Sequence, residues 1–225
     1  MLYQNDDFGK DYFRWFRAAL GQRAAELIVA AASYETTDPT VDSQIVTLKA
    51  SGADVFVNLS TPKAAAQAIR KVSDVGWRPL HMLVGASRSV AAVLRPAGLE
   101  KSVGIITGAY LKDPTDPTWK DDPGMKQWLT WMDKYYPEGD RADYNNVLGY
   151  AYAQTLVQVL RQCGDELTRE NVMRQAANLK DFHLQVLLPG IEINTSPIDF
   201  RPIKQLQLQR FDGKKWALFG PVMGQ

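Results

Sequence analysis

A chain of 225 residues has room for one large domain or two small ones, and 45% hydrophobic residues suffice for a buried core. The 26 basic and 25 acidic residues give a net charge of +1, so no excess of either sign predicts binding to nucleic acid or to an acidic membrane surface. The single cysteine, Cys163, excludes an internal disulfide, and one cysteine with two histidines cannot by themselves build a structural zinc site. We therefore expect no metal and no cofactor, and a small solute as the partner.

The start of the chain, MLYQNDDFGKD, lacks the basic and long apolar regions of a signal peptide. No stretch approaches the roughly 18 to 20 apolar residues of a membrane span.

Strand-like and helical patterns alternate over residues 1–110. Apolar runs typical of strands lie at 1–3, 25–35, 53–60, 80–85 and 102–110, and helical patterns separate them. The run ADVFVNLS at 53–60 is almost continuously apolar, as in a strand that is buried on both faces. This alternation predicts an α/β fold with a doubly wound parallel sheet.

Capping signals predict where two of the intervening helices begin. Asp38 is an N-cap candidate with Pro39 at the first helical position, and Thr61 is a second N-cap candidate, followed by Pro62.

The second half of the chain has a different character. The proline- and aspartate-rich segment at 111–124 predicts a surface linker. Helical patterns follow, including a long one that ends at Gly164 and a shorter one whose capping box joins Thr168 and Asn171. Alternating apolar residues around Asp212-Gly213 then predict a β-hairpin. These helices have almost no sheet of their own to cover, so they are typical of the outer layer of an incomplete lobe.

Five linked segments carry a resemblance that extends over essentially the whole chain: YQNDDFGKD, SYETTDPTVDSQIVTLKASGADVFVNL, AIRKVSDVGW, AGLEKSVGIITGAYLKDP and LQLQRFDGKKW. The sequence resembles the branched-chain amino-acid type of periplasmic solute-binding protein, with the type I binding-protein fold. The resemblance implies two lobes joined by three crossovers, a solute held in the cleft between them, and an N-terminal part that this sequence lacks.

The resemblance also implies a domain assignment. Residues 1–110 correspond to most of the second lobe, 111–200 to the returning helices of the first lobe, and 201–225 to a hairpin that closes on the second lobe. In this family the protein is periplasmic and delivers its solute to the membrane subunits of an ABC importer. Because strands of the first lobe are missing, we also expect exposed apolar surface and self-association.

Ligands of open α/β sheets bind beyond the carboxyl ends of the strands, which directs attention to the residues that follow each strand. Asn5 and Phe8 follow the first strand; the resemblance places an aromatic ring at Phe8, which either covers an apolar solute or only packs on its own helix. Ser60 and Thr61 follow the strand at 53–60. Their hydroxyls and the amides of the helix start suit a carboxylate, although Thr61 can equally serve only as a cap.

Ala86, Ser87 and Arg88 follow the strand at 80–85. The resemblance places Ala86 where amino-acid binders of the family have a carboxylate for the ammonium group of the ligand, and no acid is nearby. Arg88 suits an anionic solute instead, unless it is simply a solvated surface residue. Tyr110 leaves the last strand at the crossover, where it either lines the cleft or packs the hinge.

These features favour a solute-binding protein that is not an enzyme, with a small aromatic or other apolar carboxylate preferred over a branched-chain amino acid. A regulatory effector domain of the same fold is the alternative, but no helix-turn-helix or basic arm is present. A flavodoxin-like enzyme needs a phosphate loop or a polar triad, and neither occurs. His81, His183 and Cys163 are each interpreted as structural residues.

Overall fold

In the computed structural model, which describes residues 1–224, seven strands form one sheet. The strands are Leu2–Gln4 (β1), Ala32–Tyr34 (β2), Val55–Leu59 (β3), Leu80–Leu83 (β4), Ile106–Ala109 (β5), Gln205–Phe211 (β6) and Trp216–Gly224 (β7). Their order in the sheet is β2–β1–β3–β4–β5–β6–β7. The β1–β2, β1–β3, β3–β4 and β4–β5 pairs are all parallel.

Eight α-helices accompany the sheet. They are Asp7–Leu20 (α1), Ala24–Leu27 (α2), Asp42–Ala50 (α3), Pro62–Asp74 (α4), Arg95–Ala97 (α5), Pro123–Tyr135 (α6), Tyr144–Cys163 (α7) and Arg169–Ala176 (α8) within residues 1–224. Short 3₁₀ turns at Gly21–Arg23, Gly85–Ser87, Glu100–Ser102 and Pro117–Trp119 and a π-helical turn at Val90–Leu94 complete the regular structure. The predicted doubly wound α/β fold is confirmed.

The chain divides into two compact units. The first contains residues 1–107 and the short segment Arg210–Lys215, and the second contains Gly108–Gln209 and the chain from Trp216 onward. The chain therefore passes between the units three times. The predicted domain boundaries at residues 110 and 200 stay predictions.

The core of the first unit forms between the sheet and the helices that follow its strands. Phe56 of β3 is fully buried and packs in one cluster with Leu2, Ile45 and Ala68. Four consecutive residues of β3, Phe56 to Leu59, are buried, which is the pattern of a central parallel strand covered on both faces. Apolar burial of this kind is the main contribution to the stability of the unit.

A glycine allows α1 to begin directly against the end of β1. A Cβ atom at Gly9 would lie 2.1 Å from the carbonyl oxygen of Gln4, closer than any side chain tolerates. Asp6 caps this helix, since its Oδ1 accepts the backbone N–H of Gly9 at 3.1 Å. This hydrogen bond holds the pKa of Asp6 below its usual value.

The second unit has its own core, built by α6, α7 and the irregular segment at 184–193. Trp128, Val147 and Leu187 are among the buried members of this cluster. Helix α7 ends at Gly164, as predicted, and Thr168 accepts the N–H of Asn171 at 3.2 Å at the start of α8. The predicted hairpin at Asp212-Gly213 is confirmed by β6, β7 and the N–H···O bond of 3.1 Å from Asp212 to Lys215.

Three predictions of local structure are wrong. The helix predicted to start at Asp38 begins at Asp42, because the Asp38 carboxylate instead accepts the N–H of Glu35 in a preceding turn. The strand predicted at 25–35 is reduced to β2, since three-residue β1 offers pairing partners only to Ala32, Ser33 and Tyr34.

The third wrong prediction is the surface linker at 111–124. Lys112 is buried there, and its Nζ donates to Asp122 Oδ2 at 2.7 Å and to the Gln185 carbonyl at 2.6 Å. Asp113 is also buried and accepts the N–H of Thr115 at 2.9 Å. The segment is therefore anchored to the second unit by polar contacts that a count of proline and aspartate does not reveal.

Candidate functional site

The parallel pairing of β1, β3 and β4 places their carboxyl ends along one edge of the sheet in the first unit. The residues that follow these strands include seven of the eight predicted site residues. They are Asn5, Phe8, Ser60, Thr61, Ala86, Ser87 and Arg88. We call the carboxyl ends of β1, β3 and β4, together with the residues that follow them, the carboxyl edge.

Three strand ends are joined by a hydrogen-bond network that the sequence analysis missed. The Oε1 atom of buried Gln4 accepts from Tyr34 Oη at 3.1 Å and from Thr61 Oγ1 at 2.8 Å. Tyr34 Oη in turn accepts the backbone N–H of Thr61 at 3.0 Å. The network therefore fixes the position of the loop between β3 and α4.

This network also shows that the Thr61 side chain does not cap the helix. Thr61 occupies the N-cap position of α4 with Pro62 in the first turn, as predicted, but its side chain makes no capping bond to the helix. The hydroxyl donates to Gln4 instead. The prediction of a side-chain cap at Thr61 is therefore wrong, because the neighbouring strand end supplies a competing acceptor.

Ser60 and Ser87 bring the ends of β3 and β4 together. Ser87 Oγ donates to the carbonyl oxygen of Ser60 at 2.6 Å, and both side chains are fully buried. Ser60 Oγ makes no hydrogen bond within residues 1–224. A buried hydroxyl with unused hydrogen-bonding capacity is uncommon in a folded protein and is a reason to look for a ligand.

Arg88 ends the 3₁₀ turn that follows β4. Its side chain is 1% exposed, so the alternative of a solvated surface arginine is wrong. Arginine keeps its positive charge even where it is buried, which makes a buried arginine at a strand end a candidate for anion recognition. Ala86, by contrast, is exposed and offers no carboxylate to a ligand.

Asn5 and Phe8 lie at the β1 side of the carboxyl edge. The Asn5 side chain is exposed and donates to Glu35 Oε1, while its backbone N–H donates to the Tyr34 carbonyl at 2.8 Å. Phe8 lies in the first turn of α1, half-buried, with its ring edge-on to Tyr12 at 5.0 Å between centroids. The Asn5 amide is therefore accessible to solvent, and so is part of the Phe8 ring.

Tyr110 belongs to the second unit. It is half-buried, and burial together with the hydroxyls of Tyr144 and Tyr152 raises the pKa of its phenol, so Tyr110 stays neutral. Its carbonyl accepts the N–H of Leu188 at 2.9 Å. Tyr110 lines an apolar groove of about 340 Å³ within this unit.

The residues considered for catalysis or metal binding are not grouped. His81 lies in β4 as predicted, buried, with its Nε2 3.3 Å from Asn58 Nδ2, and burial lowers the pKa of its imidazole to about 3. His183 is an exposed loop residue, and Cys163 is buried at the end of α7. Within residues 1–224 no three His, Cys, Asp or Glu side chains are placed to hold a metal ion.

Over the same residues, no helix has the length and apolar character to cross a bilayer.

Comparison with known proteins now identifies the family. The family model described as "Periplasmic binding protein" matches residues 1–215. The chain belongs to this family of periplasmic binding proteins. The resemblance seen in the five linked sequence segments is thereby confirmed. The comparison with curated proteins gave no significant match.

Solved structures show the same fold at low sequence identity. A substrate-binding periplasmic protein from Ralstonia solanacearum is 20% identical with a TM-score of 0.79, over 100% of this chain and 60% of that one. A branched-chain amino-acid ABC transporter protein from Thermus thermophilus with bound valine is 15% identical with a TM-score of 0.81, over 100% and 59%. A fatty acid ABC transporter substrate-binding protein from Thermomonospora curvata is 20% identical with a TM-score of 0.69, over 100% and 56%. The chain thus spans less than two thirds of the length of these proteins.

The first prediction concerns the network at the carboxyl edge. Tyr34→Phe removes a hydroxyl that bonds both Gln4 and the Thr61 N–H, and we expect it to lower the free energy of unfolding by about 1 to 3 kcal/mol, because buried polar groups lose a partner. The matched control is Tyr135→Phe, where the ring is 61% exposed and little change is expected. Urea denaturation measures both. Equal stabilities of the two variants would contradict the assignment.

The second prediction concerns pH. Because burial depresses the pKa of His81 from its ordinary 6.5 to about 3, the unfolded chain binds one more proton than the folded chain between these values. The contribution of His81 to stability is therefore complete above pH 6.5 and is lost as the pH falls toward 3, at about 1.4 kcal/mol per pH unit.

His81→Gln should remove this slope, whereas His183→Gln at the exposed histidine should keep it. Free energies of unfolding between pH 4 and 7, measured with denaturant for the wild type and both variants, test the difference. The same slope in wild type and His81→Gln would contradict the account.

Proposed function

We propose that this protein is the solute-binding component of an ABC import system and that the carboxyl edge of its first unit contributes to the solute site. The observation that carries the proposal is the buried cluster at the ends of β3 and β4. There, Ser87 is bonded to the Ser60 carbonyl, Ser60 keeps an unused hydroxyl, and a buried Arg88 follows directly. Membership of the periplasmic binding protein family supports the same function.

The ligand we propose is a small apolar or aromatic carboxylate. A guanidinium and serine hydroxyls suit a carboxylate, since charge-assisted hydrogen bonds are the strongest that such a site makes. Phe8, half-buried at the β1 end of the carboxyl edge, offers an aromatic face for the apolar part of the solute.

A branched-chain amino acid is the less favoured ligand. Its ammonium group requires a negatively charged or strongly accepting partner, and position 86 is an exposed alanine. The structural neighbours include both chemistries, since one contains bound valine and another is named a fatty acid transporter protein. The neighbours are therefore compatible with either class of ligand. Ala86 and Arg88 favour a carboxylate that carries no ammonium group.

The proposal extends to the cellular setting. As in the family, the protein would act outside the cytoplasmic membrane and deliver its solute to the membrane subunits of the importer. Tyr110, in the second unit, remains a proposed ligand residue on the strength of its half-buried ring and neutral hydroxyl. The exposed apolar surface of the second unit also supports self-association of this chain.

The third prediction tests the ligand class by calorimetric titration with benzoate, cinnamate and leucine. We expect an aromatic acid to bind the wild type. Arg88→Lys keeps the charge but loses the planar fork, so it should weaken that binding about tenfold or more. The control Arg78→Lys changes an exposed arginine of the same unit and should bind like the wild type.

Ala86→Asp supplies the missing carboxylate in the same titrations. It should weaken binding of the aromatic acid through charge repulsion and strengthen binding of leucine. Binding of leucine alone by the wild type, or an Arg88→Lys variant with unchanged affinity for the acid, would contradict the proposed ligand class.

A further inference from the structure

Helix α4 begins at the carboxyl edge with backbone N–H groups that lack acceptors. The helix is 13 residues long, and its first residue, Pro62, has no N–H. The next two N–H groups, those of Lys63 and Ala64, make no hydrogen bond within residues 1–224. Such groups carry partial positive charge and attract anions.

The two neighbouring groups that could accept these N–H groups are bonded elsewhere. The Thr61 hydroxyl, in the N-cap position, donates to Gln4 Oε1 at 2.8 Å and does not cap the helix. The Ser60 carbonyl is the usual acceptor for the N–H of Ala64, four residues later, but it accepts from Ser87 Oγ at 2.6 Å instead. Both N–H groups of the first turn are therefore left available to a ligand.

A second, independent observation at the same place also indicates a ligand. The Ser60 side chain, one residue before the N-cap, is fully buried, and its Oγ has no hydrogen-bond partner within the described chain. Helix α4 also contacts the turn Gly85–Ser87, which the buried Arg88 follows. Because Lys63 is exposed, the helix start can be reached from solvent.

We propose that the backbone N–H groups of Lys63 and Ala64 bind the carboxylate of the solute, beside the unused hydroxyl of Ser60. This inference rests on the proposed function and names the groups of the carboxyl edge that contact the charged end of the ligand. A carboxylate has two oxygens, which can accept from the two N–H groups, and hydrogen bonds to a charged acceptor are stronger than those to a neutral one.

A side chain that occupies the same N–H groups should exclude the solute. The backbone of Thr61 already has the extended geometry of an N-cap, and Asp and Asn are favoured capping residues. The carboxylate of Thr61→Asp cannot donate to Gln4 Oε1, so it should accept from Lys63 and Ala64, and Thr61→Asn provides a cap without charge.

Calorimetric titration with cinnamate measures the effect of these caps. Both variants should weaken binding about tenfold or more. The control Val46→Asp adds the same charge on α3 of the first unit, at a residue that is 51% exposed, and should bind like the wild type.

Amide hydrogen exchange tests the contact without a substitution. Cinnamate should slow exchange at Lys63 and Ala64 about tenfold or more in the wild type, whereas cinnamamide, which lacks the charge, should not. Both Thr61 variants should slow exchange at these two amides without any ligand.

The outcomes separate this inference from the proposed function. Binding of cinnamate without protection of the two amides overturns the inference and leaves the proposed function standing. So does a loss of affinity in Thr61→Asp that Thr61→Asn does not share, because repulsion between charges then explains it. A wild type that binds no aromatic acid overturns both.

Discussion

The parallel pairing of β1, β3 and β4 is the constraint on which the proposed function depends. It brings segments that are up to about 80 residues apart in the sequence to one edge of the first unit, and side chains then bind these segments to each other. The Gln4–Tyr34–Thr61 network fixes the β3–α4 loop, and the bond from Ser87 to the Ser60 carbonyl joins that loop to the turn after β4. A site that is fixed before the solute arrives loses less conformational entropy on binding.

The second unit combines a buried core with exposed apolar surface. Its helices bury a core around Trp128 and Val147, yet α7 keeps a ridge of large apolar residues in water. The chain covers 60% and 59% of the length of two of the related structures. Apolar surface of this kind is stabilised when it is covered.

Much of this architecture could be predicted from the sequence, and the failures have physical causes. The continuous apolar run of β3, the hairpin glycine at 213 and the capping threonine at 168 are local signals that tertiary contacts leave unchanged. The predictions of a helix start at Asp38 and of a surface linker around Lys112 were wrong because both side chains bind groups that sequence spacing does not reveal. Asp38 binds the Glu35 N–H, and Lys112 binds Asp122 and the Gln185 carbonyl.

The same distinction holds at the candidate site. The positions after each strand were predictable, since parallel strands end at one edge of a sheet. Gln4 and Tyr34 were missed because each lies at the end of a strand rather than after it, and their role arises only from register, with Gln4 opposite Tyr34. Burial of Arg88 could not be predicted from the sequence either, because a single arginine in a polar turn is exposed in most proteins.

The most direct test of the account is to map cinnamate binding on the backbone amides of this chain by nuclear magnetic resonance. The account predicts that the largest, saturable shifts occur at Ser60, Ser87 and Arg88. Shifts confined to the second unit, or no shifts at any concentration, would contradict the claim that the carboxyl edge binds a small apolar carboxylate.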